Sequence, residues 1–170
     1  MPTFNSKPII TESDIENILT RNGCYVVHTT TTPAVASKSV ALSTLDLCER
    51  AKDYLSLKNI PSLYSHQAKA VAEAKRGNNV CVSTSTSSGK SEIFFLSVIE
   101  ELEKRPDSKI LVVYPMKALN SQQSRRWGET GLSIGQIDGD VAMASRQRLL
   151  VESNVIVMTP YFGHAYLLGK

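Results

Sequence analysis

Between Val82 and Leu96 the chain reads Val82-Ser83-Thr84-Ser85-Thr86-Ser87-Ser88-Gly89-Lys90-Ser91, then Glu92-Ile93-Phe94-Phe95-Leu96. Small hydroxylated residues, a glycine, a lysine and a serine between two apolar stretches are suited to holding phosphate. Loop N–H groups and the free N–H groups of a helix start point toward an anion. Lys90 would reach the β- and γ-phosphates, and the Ser91 hydroxyl would sit on Mg²⁺. The full phosphate-loop pattern is G-x-x-x-x-G-K-S/T, and Thr84 stands at its first glycine. Gly-Lys-Ser alone is common by chance. Its weight comes from lying between an apolar strand and an amphipathic helix. The other reading of these residues is a Ser/Thr loop that only caps the helix after it.

The elements around the loop alternate. Residues 79–83 read as a short strand, and Cys81 within it as a small core residue. Residues 90–104 read as a helix with Ile93, Leu96, Ile99 and Leu102 on one buried stripe, ended by Pro106 and Asp107. Strands are expected over 109–114, 132–137 and 154–158. Helices are expected over 117–127, closed by Gly128, over 142–151, and from Tyr161 to Leu168. Strand alternating with helix at this pitch implies βαβ units, hence an α/β fold with a parallel sheet and flanking helices. Ligands on such sheets lie at the carboxyl ends of the strands, which is where the loop falls.

Upstream the pattern changes to a small α+β segment. Ser13 with Glu16 forms a capping-box pattern for a helix over 14–20. Residues 24–32 are rich in β-formers, and 33–40 read as a linker. Ser43 or Thr44 would cap a second helix running to Leu57, and a third spans 65–76. The division expected is an N-terminal extension, 1–44, and a nucleotide-binding domain, 45–170, consistent with about one domain per roughly 100–200 residues. Nineteen Lys and Arg against sixteen Asp and Glu give a net charge of +3, which permits nucleic-acid binding without demanding it. Three scattered cysteines form no metal-binding spacing and fit a reducing, cytoplasmic setting. No apolar run reaches the length of a membrane span.

Further motifs fall around the loop in order. Leu63-Tyr64-Ser65-His66-Gln67 places a glutamine 22 residues before Gly89. A carboxamide can donate to N7 of adenine and accept from its N6–H at once. Downstream lie Tyr114-Pro115-Met116-Lys117-Ala118-Leu119, then Asp138-Gly139-Asp140 with Arg146, then Val157-Met158-Thr159-Pro160. Together these resemble the first RecA-like domain of a DEAD/DEAH-box helicase of superfamily 2, with wording nearest the Hrq1/MrfA-like branch. The resemblance spans roughly 45–170. It implies a P-loop NTPase fold, ATP and Mg²⁺ as ligands, and single-stranded or duplex DNA or RNA as partner. Gln67 would read adenine, and Thr84, Ser85, Thr86, Ser87, Ser88 and Gly89 would cradle phosphates. Lys90 would neutralise them, and Ser91 would hold the metal. Lys117, Ala118, Arg146 and Thr159 would lie along the nucleic-acid backbone. Each also has a plain reading: Gln67 as a surface helix residue, Lys117 as an ordinary helix-start lysine, Thr159 as a helix cap. Asp138 is not taken as the catalytic aspartate, because Gly139 rather than an acid follows it.

In the resembling family an Asp-Glu pair beyond the last of these motifs holds the metal and activates water, on a strand central in the sheet. No such pair follows Thr159. The expectation is an incomplete ATP-binding domain, truncated before that motif, with no catalytic residue of its own and with apolar strand edges uncovered. A second polypeptide carrying the remaining motifs is the alternative. A small P-loop kinase would need an arginine-rich lid, for which Arg125, Arg126, Arg146 and Arg148 are the candidates, but it gives Gln67 and the Tyr-Pro-Met-Lys-Ala-Leu segment no work. An interaction module using residues 1–60 is a further class, tested by deleting them.

Overall fold

The computed structural model describes residues 11–30, 36–86 and 88–165. The chain forms two compact units, Met1–Ala36 and Ser37–Lys170. In the first, helix α1 (Glu12–Arg21) starts two residues earlier than the sequence pattern suggests. Its cap is Thr11, whose N–H donates to the Asp14 carboxylate at 2.9 Å while the Thr11 hydroxyl accepts from the Asp14 N–H. The box is therefore Thr11 with Asp14 and not Ser13 with Glu16. The earlier start sets Glu12 and Asp14 in the first turn, where the helix dipole favours negative charge. The Thr11 hydroxyl and backbone hold the Asp14 carboxyl below its ordinary range. Residues 24–30 form neither helix nor strand. Residues 31–32 of the β-rich stretch and 33–35 of the linker reading lie outside the described residues.

The second unit opens with strand β1 (Ser39–Ala41), in the stretch read as a linker. A single 3-10 turn follows, Leu42–Thr44, and then α2 (Glu49–Leu57). Neither Ser43 nor Thr44 caps α2; Cys48 does. The reason lies far along the chain, because the Cys48 N–H donates to the Glu100 carboxylate at 2.7 Å. Glu100 is buried and also pairs with Lys75 at 2.9 Å, so its charge is compensated on both oxygens. Strand β2 (Ser62–Tyr64) pairs antiparallel with β1, and α3 (Ser65–Lys75) continues directly from it.

Helix α4 (Lys90–Lys104) has the bounds its sequence pattern sets. Ile93, Leu96, Ile99 and Leu102 are all buried, as their spacing requires, and Phe95 joins them. Each fully buried side chain of this size contributes about 1.5–3 kcal/mol. Then come β3 (Ile110–Val113), α5 (Lys117–Gly128), β4 (Ile134–Gln136), α6 (Met143–Glu152), β5 (Val155–Met158) and α7 (Pro160–Gly163). Residues 166–168 of the last expected helix lie outside the described residues. The sheet is parallel in the order β3-β5-β4. All four residues of the central strand β5 are buried. Trp127 of α5 is sealed in the core, edge-on to Phe95 at 4.6 Å, and its indole N–H donates to the Tyr114 hydroxyl at 3.0 Å. Burial raises the Tyr114 hydroxyl above its ordinary range.

Two expectations fail together. Residues 79–83 are not a strand, and Cys81 is exposed rather than in the core. A strand is completed by the ladder of a neighbour, and the described residues supply none there. Among the described residues the outer edge of β3 likewise has no strand beside it, and Phe94, Leu111 and Val113 are about half exposed.

Candidate functional site

The phosphate-type loop connects residues 79–83 to α4. Gly89, the residue before α4, has φ +73°, a left-handed conformation that glycine adopts without a side-chain penalty. A Cβ there would also stand 2.4 Å from the Gln67 amide nitrogen, so any side chain at this position would have to displace that carboxamide. Gln67 is buried in the first turn of α3. Its Nε2 donates to the Gly89 carbonyl at 2.8 Å, and its Oε1 accepts from the Tyr64 N–H at 2.8 Å. It is therefore no surface helix residue. It ties the start of α3 to the loop and keeps one N–H and one lone pair uncommitted. Beside it, the His66 Nε2 lies 3.0 Å from the Ser88 carbonyl oxygen, and the His66 ring stacks on Tyr64 at 5.7 Å.

Lys90 folds back over the loop. Its ammonium donates to the Thr84 carbonyl at 3.0 Å, the Ser85 carbonyl at 2.5 Å and the Ser88 hydroxyl at 3.4 Å. The Thr84 and Ser88 hydroxyls share a hydrogen bond of 2.6 Å across the loop. Thr84, Ser85 and Thr86 are exposed, and Ser87 lies outside the described residues. A loop of small residues, a lysine drawn across its carbonyls and a helix opening at its end are an arrangement that an anion could enter. Among the described residues no group of three or more His, Cys, Asp or Glu is placed to hold a metal ion. A cation here would rest on the Ser91 hydroxyl and on the anion's own oxygens, which suits Mg²⁺ bound with phosphate.

Ser91 has a partner that sequence reasoning did not find. Arg126, on the last turn of α5, donates from Nη1 to the Ser91 hydroxyl at 3.1 Å and from Nη2 to Glu92 Oε1 at 3.0 Å. Its guanidinium lies over the Phe95 ring, 5.2 Å from the centroid. The other Glu92 oxygen accepts from the Tyr54 hydroxyl of α2 at 2.7 Å. The only sequence signal was a basic pair at the end of α5, and nothing in its spacing points at Ser91.

Tyr54→Phe is expected to lower the unfolding free energy by about 2 kcal/mol, since it deletes a partly buried bond to a carboxylate. The check is a lower denaturant midpoint at unchanged slope. Burial, then the Glu92 bond, pushes the Tyr54 hydroxyl far above its ordinary range. Because the folded-state value is the raised one, this contribution is present below about pH 10. It declines above that, where the unfolded chain alone releases the proton.

The remaining sequence-derived positions gather at one edge. In a parallel sheet the carboxyl ends of β3, β4 and β5 face the same way. Lys117 and Ala118 open α5 after β3 and are exposed. The Asp138–Asp140 turn follows β4, with the Asp138 carboxylate accepting from the Gln136 side chain and the Asp140 N–H. Lys117 pairs with Asp140, and that bond raises the lysine above its ordinary value. Arg146 donates to the Gly139 carbonyl at 3.3 Å and lies over the Phe162 ring. Thr159 follows β5 and caps α7, its hydroxyl accepting from the Phe162 N–H at 3.4 Å. No helix among the described residues is long and apolar enough to cross a membrane.

A parallel α/β sheet with a phosphate-type loop before one flanking helix is the architecture of RecA-like helicase domains, and known proteins match on both sequence and shape. The DEAD/DEAH box helicase family model matches residues 64–168, well over half of the chain, and the chain belongs to that family. The ATP-dependent helicase hrq1 of Schizosaccharomyces pombe is 29% identical over 168 residues, covering 94% of this chain and 15% of that protein. The ATP-dependent helicase HRQ1 of Saccharomyces cerevisiae is 35% identical over 115 residues, covering 63% of this chain and 11% of that protein. Among solved structures, the DUF1998 helicase MrfA bound to DNA and AMPPNP is similar with a TM-score of 0.71 and 27% identity, covering 79% of this chain and 20% of that one.

Proposed function

We propose that residues 45–170 form the nucleotide-binding part of an ATP-dependent helicase domain. Its loop holds ATP with Mg²⁺, and the carboxyl edge of its sheet contacts a nucleic-acid strand. The observation that carries this is the Gln67–Gly89–Lys90 arrangement: a left-handed glycine pinned under a buried carboxamide, leading into a helix whose first residue is the lysine. Gln67 would read adenine with its uncommitted N–H and lone pair. The backbone of 84–89 would cradle the phosphates, and Lys90 would exchange the loop carbonyls for β- and γ-oxygens. Ser91 would hold Mg²⁺, which supplies charge neutralisation at the phosphates. Relatives that are ATP-dependent helicases, and a solved neighbour bound to DNA and AMPPNP, support this reading. The uncovered apolar edge of β3 favours completion of the sheet by further strands, whether from the same polypeptide or from a second one.

Lys117, Ala118, Arg146 and Thr159 would meet a strand's backbone, not its bases, so binding is expected to tolerate sequence and to weaken steeply with salt. The test is a salt series with labelled single-stranded oligonucleotides. Lys117→Ala is expected to weaken binding uniformly across sequences and to reduce the slope of log affinity against log salt by about 1. Equal slopes for the two proteins would remove Lys117 from the interface. Binding indifferent to salt would remove the phosphate-contact reading.

A further inference from the structure

We infer that Arg126 is a positioning residue for the Ser91 hydroxyl, setting that hydroxyl for a nucleotide-bound divalent cation. The inference rests on the reading of Ser91 as the metal side of the phosphate loop and goes beyond it in naming what aims the oxygen. A serine hydroxyl has one proton and two lone pairs. Arg126 Nη1 donates into one lone pair at 3.1 Å. That leaves the second for a cation and the proton for a phosphate oxygen. Without such an anchor the hydroxyl of a half-exposed serine rotates freely among its staggered positions.

A guanidinium so near a cation site would repel the metal if its charge were uncompensated. Here its second arm holds Glu92 at 3.0 Å, and Glu92 is fixed in turn by the Tyr54 hydroxyl at 2.7 Å. The Arg126–Glu92 pair carries no net charge, so it can orient the hydroxyl without opposing Mg²⁺. The guanidinium is also seated on the Phe95 ring, and its neighbour Trp127 is locked in the core. Rigid support of this kind is what lets an outer group orient a metal ligand. A lysine could not replace it, because one ammonium on a flexible stem lacks the two-armed fork that reaches Ser91 and Glu92 together.

The experiment measures ATP affinity of the 170-residue chain by calorimetry, with Mg²⁺ and with EDTA, for wild type, Arg126→Met, Arg126→Lys, Ser91→Ala, the Arg126→Met/Ser91→Ala double variant and Lys90→Ala. Wild type is expected to bind more tightly with Mg²⁺. Both Arg126 variants are expected to lose about tenfold of that magnesium-dependent gain, with affinity in EDTA unchanged. Ser91→Ala should lose the same gain, and the double variant no more than Ser91→Ala alone, since the two residues act as one unit. Arg126→Lys keeps the charge beside Glu92, so its result stands even if Arg126→Met does not fold. An unchanged gain in Arg126→Lys, a loss equal in EDTA and Mg²⁺, a gain that increases, or a Ser91→Ala that keeps its gain would each overturn the inference and leave the phosphate loop intact. If Lys90→Ala binds ATP as wild type does, the phosphate-loop reading falls, and this inference with it.

Discussion

Lys90→Ala is expected to lower the affinity for ATP with Mg²⁺ about a hundredfold, a loss of roughly 2.7 kcal/mol. The ammonium already holds three loop oxygens, so it is placed above the loop and needs only to exchange carbonyls for phosphate oxygens. A hydrogen bond to a charged group contributes about 1.5–3 kcal/mol, and the lysine can make more than one. The same loss should appear in thermal stability. Ligand at a hundred times its dissociation constant stabilises by about 2.7 kcal/mol. At about 2–4 °C per kcal/mol for a chain of this size, wild type should melt roughly 5–10 °C higher with nucleotide. Lys90→Ala should show almost none of that shift while melting close to wild type without nucleotide, since alanine suits a helix start. Equal shifts in the two proteins would mean that the nucleotide binds elsewhere.

Gly89→Ala is expected to damage both stability and binding. The left-handed backbone at φ +73° penalises a β-carbon by about 1–2 kcal/mol. The new methyl would also meet the Gln67 amide at 2.4 Å. Gln67 is buried, so it can move only by giving up the bonds to Gly89 and Tyr64, at about 1–3 kcal/mol. Together the loss is roughly 2–5 kcal/mol, to be measured by denaturant unfolding of both proteins. Gln67→Ala in the Gly89→Ala background should recover part of the stability, because it clears the space, but not the nucleotide affinity. A Gly89→Ala protein as stable as wild type would contradict the close packing of α3 on the loop.

How far these features could be seen in the sequence depended on the range of the interactions that set them. Helix α4 has local causes at both ends and a regular apolar stripe, so its bounds were legible to the residue. The start of α2 was not. It depends on Glu100, 52 residues away, whose carboxylate takes the Cys48 N–H and so fixes the residue from which the helix starts. Residues 79–83 have the composition of a strand, but composition cannot supply the neighbour that a ladder needs, and Cys81 is exposed for the same reason. The loop itself was legible as a motif. Its closest structural partner, Gln67, was legible as a glutamine at a telling distance but not as a residue bonded to Gly89. Arg126 was invisible, since its two bonds cross from α5 to α4 and leave no local pattern. The same holds for Lys117, whose partner Asp140 sits across the sheet edge.

The most direct test of the central claim, that residues 84–91 cradle a nucleoside triphosphate, is an amide ¹⁵N–¹H titration of the chain with ATP and Mg²⁺. Backbone N–H groups of the loop and of the first turn of α4 should shift most, above all those of Gly89, Lys90 and Ser91, with the Gln67 side-chain amide moving at the same nucleotide concentration. Shifts confined to another part of the molecule, such as the cavity lined by Leu45, Val71, Lys75 and Lys104, with the loop amides unmoved, would contradict it.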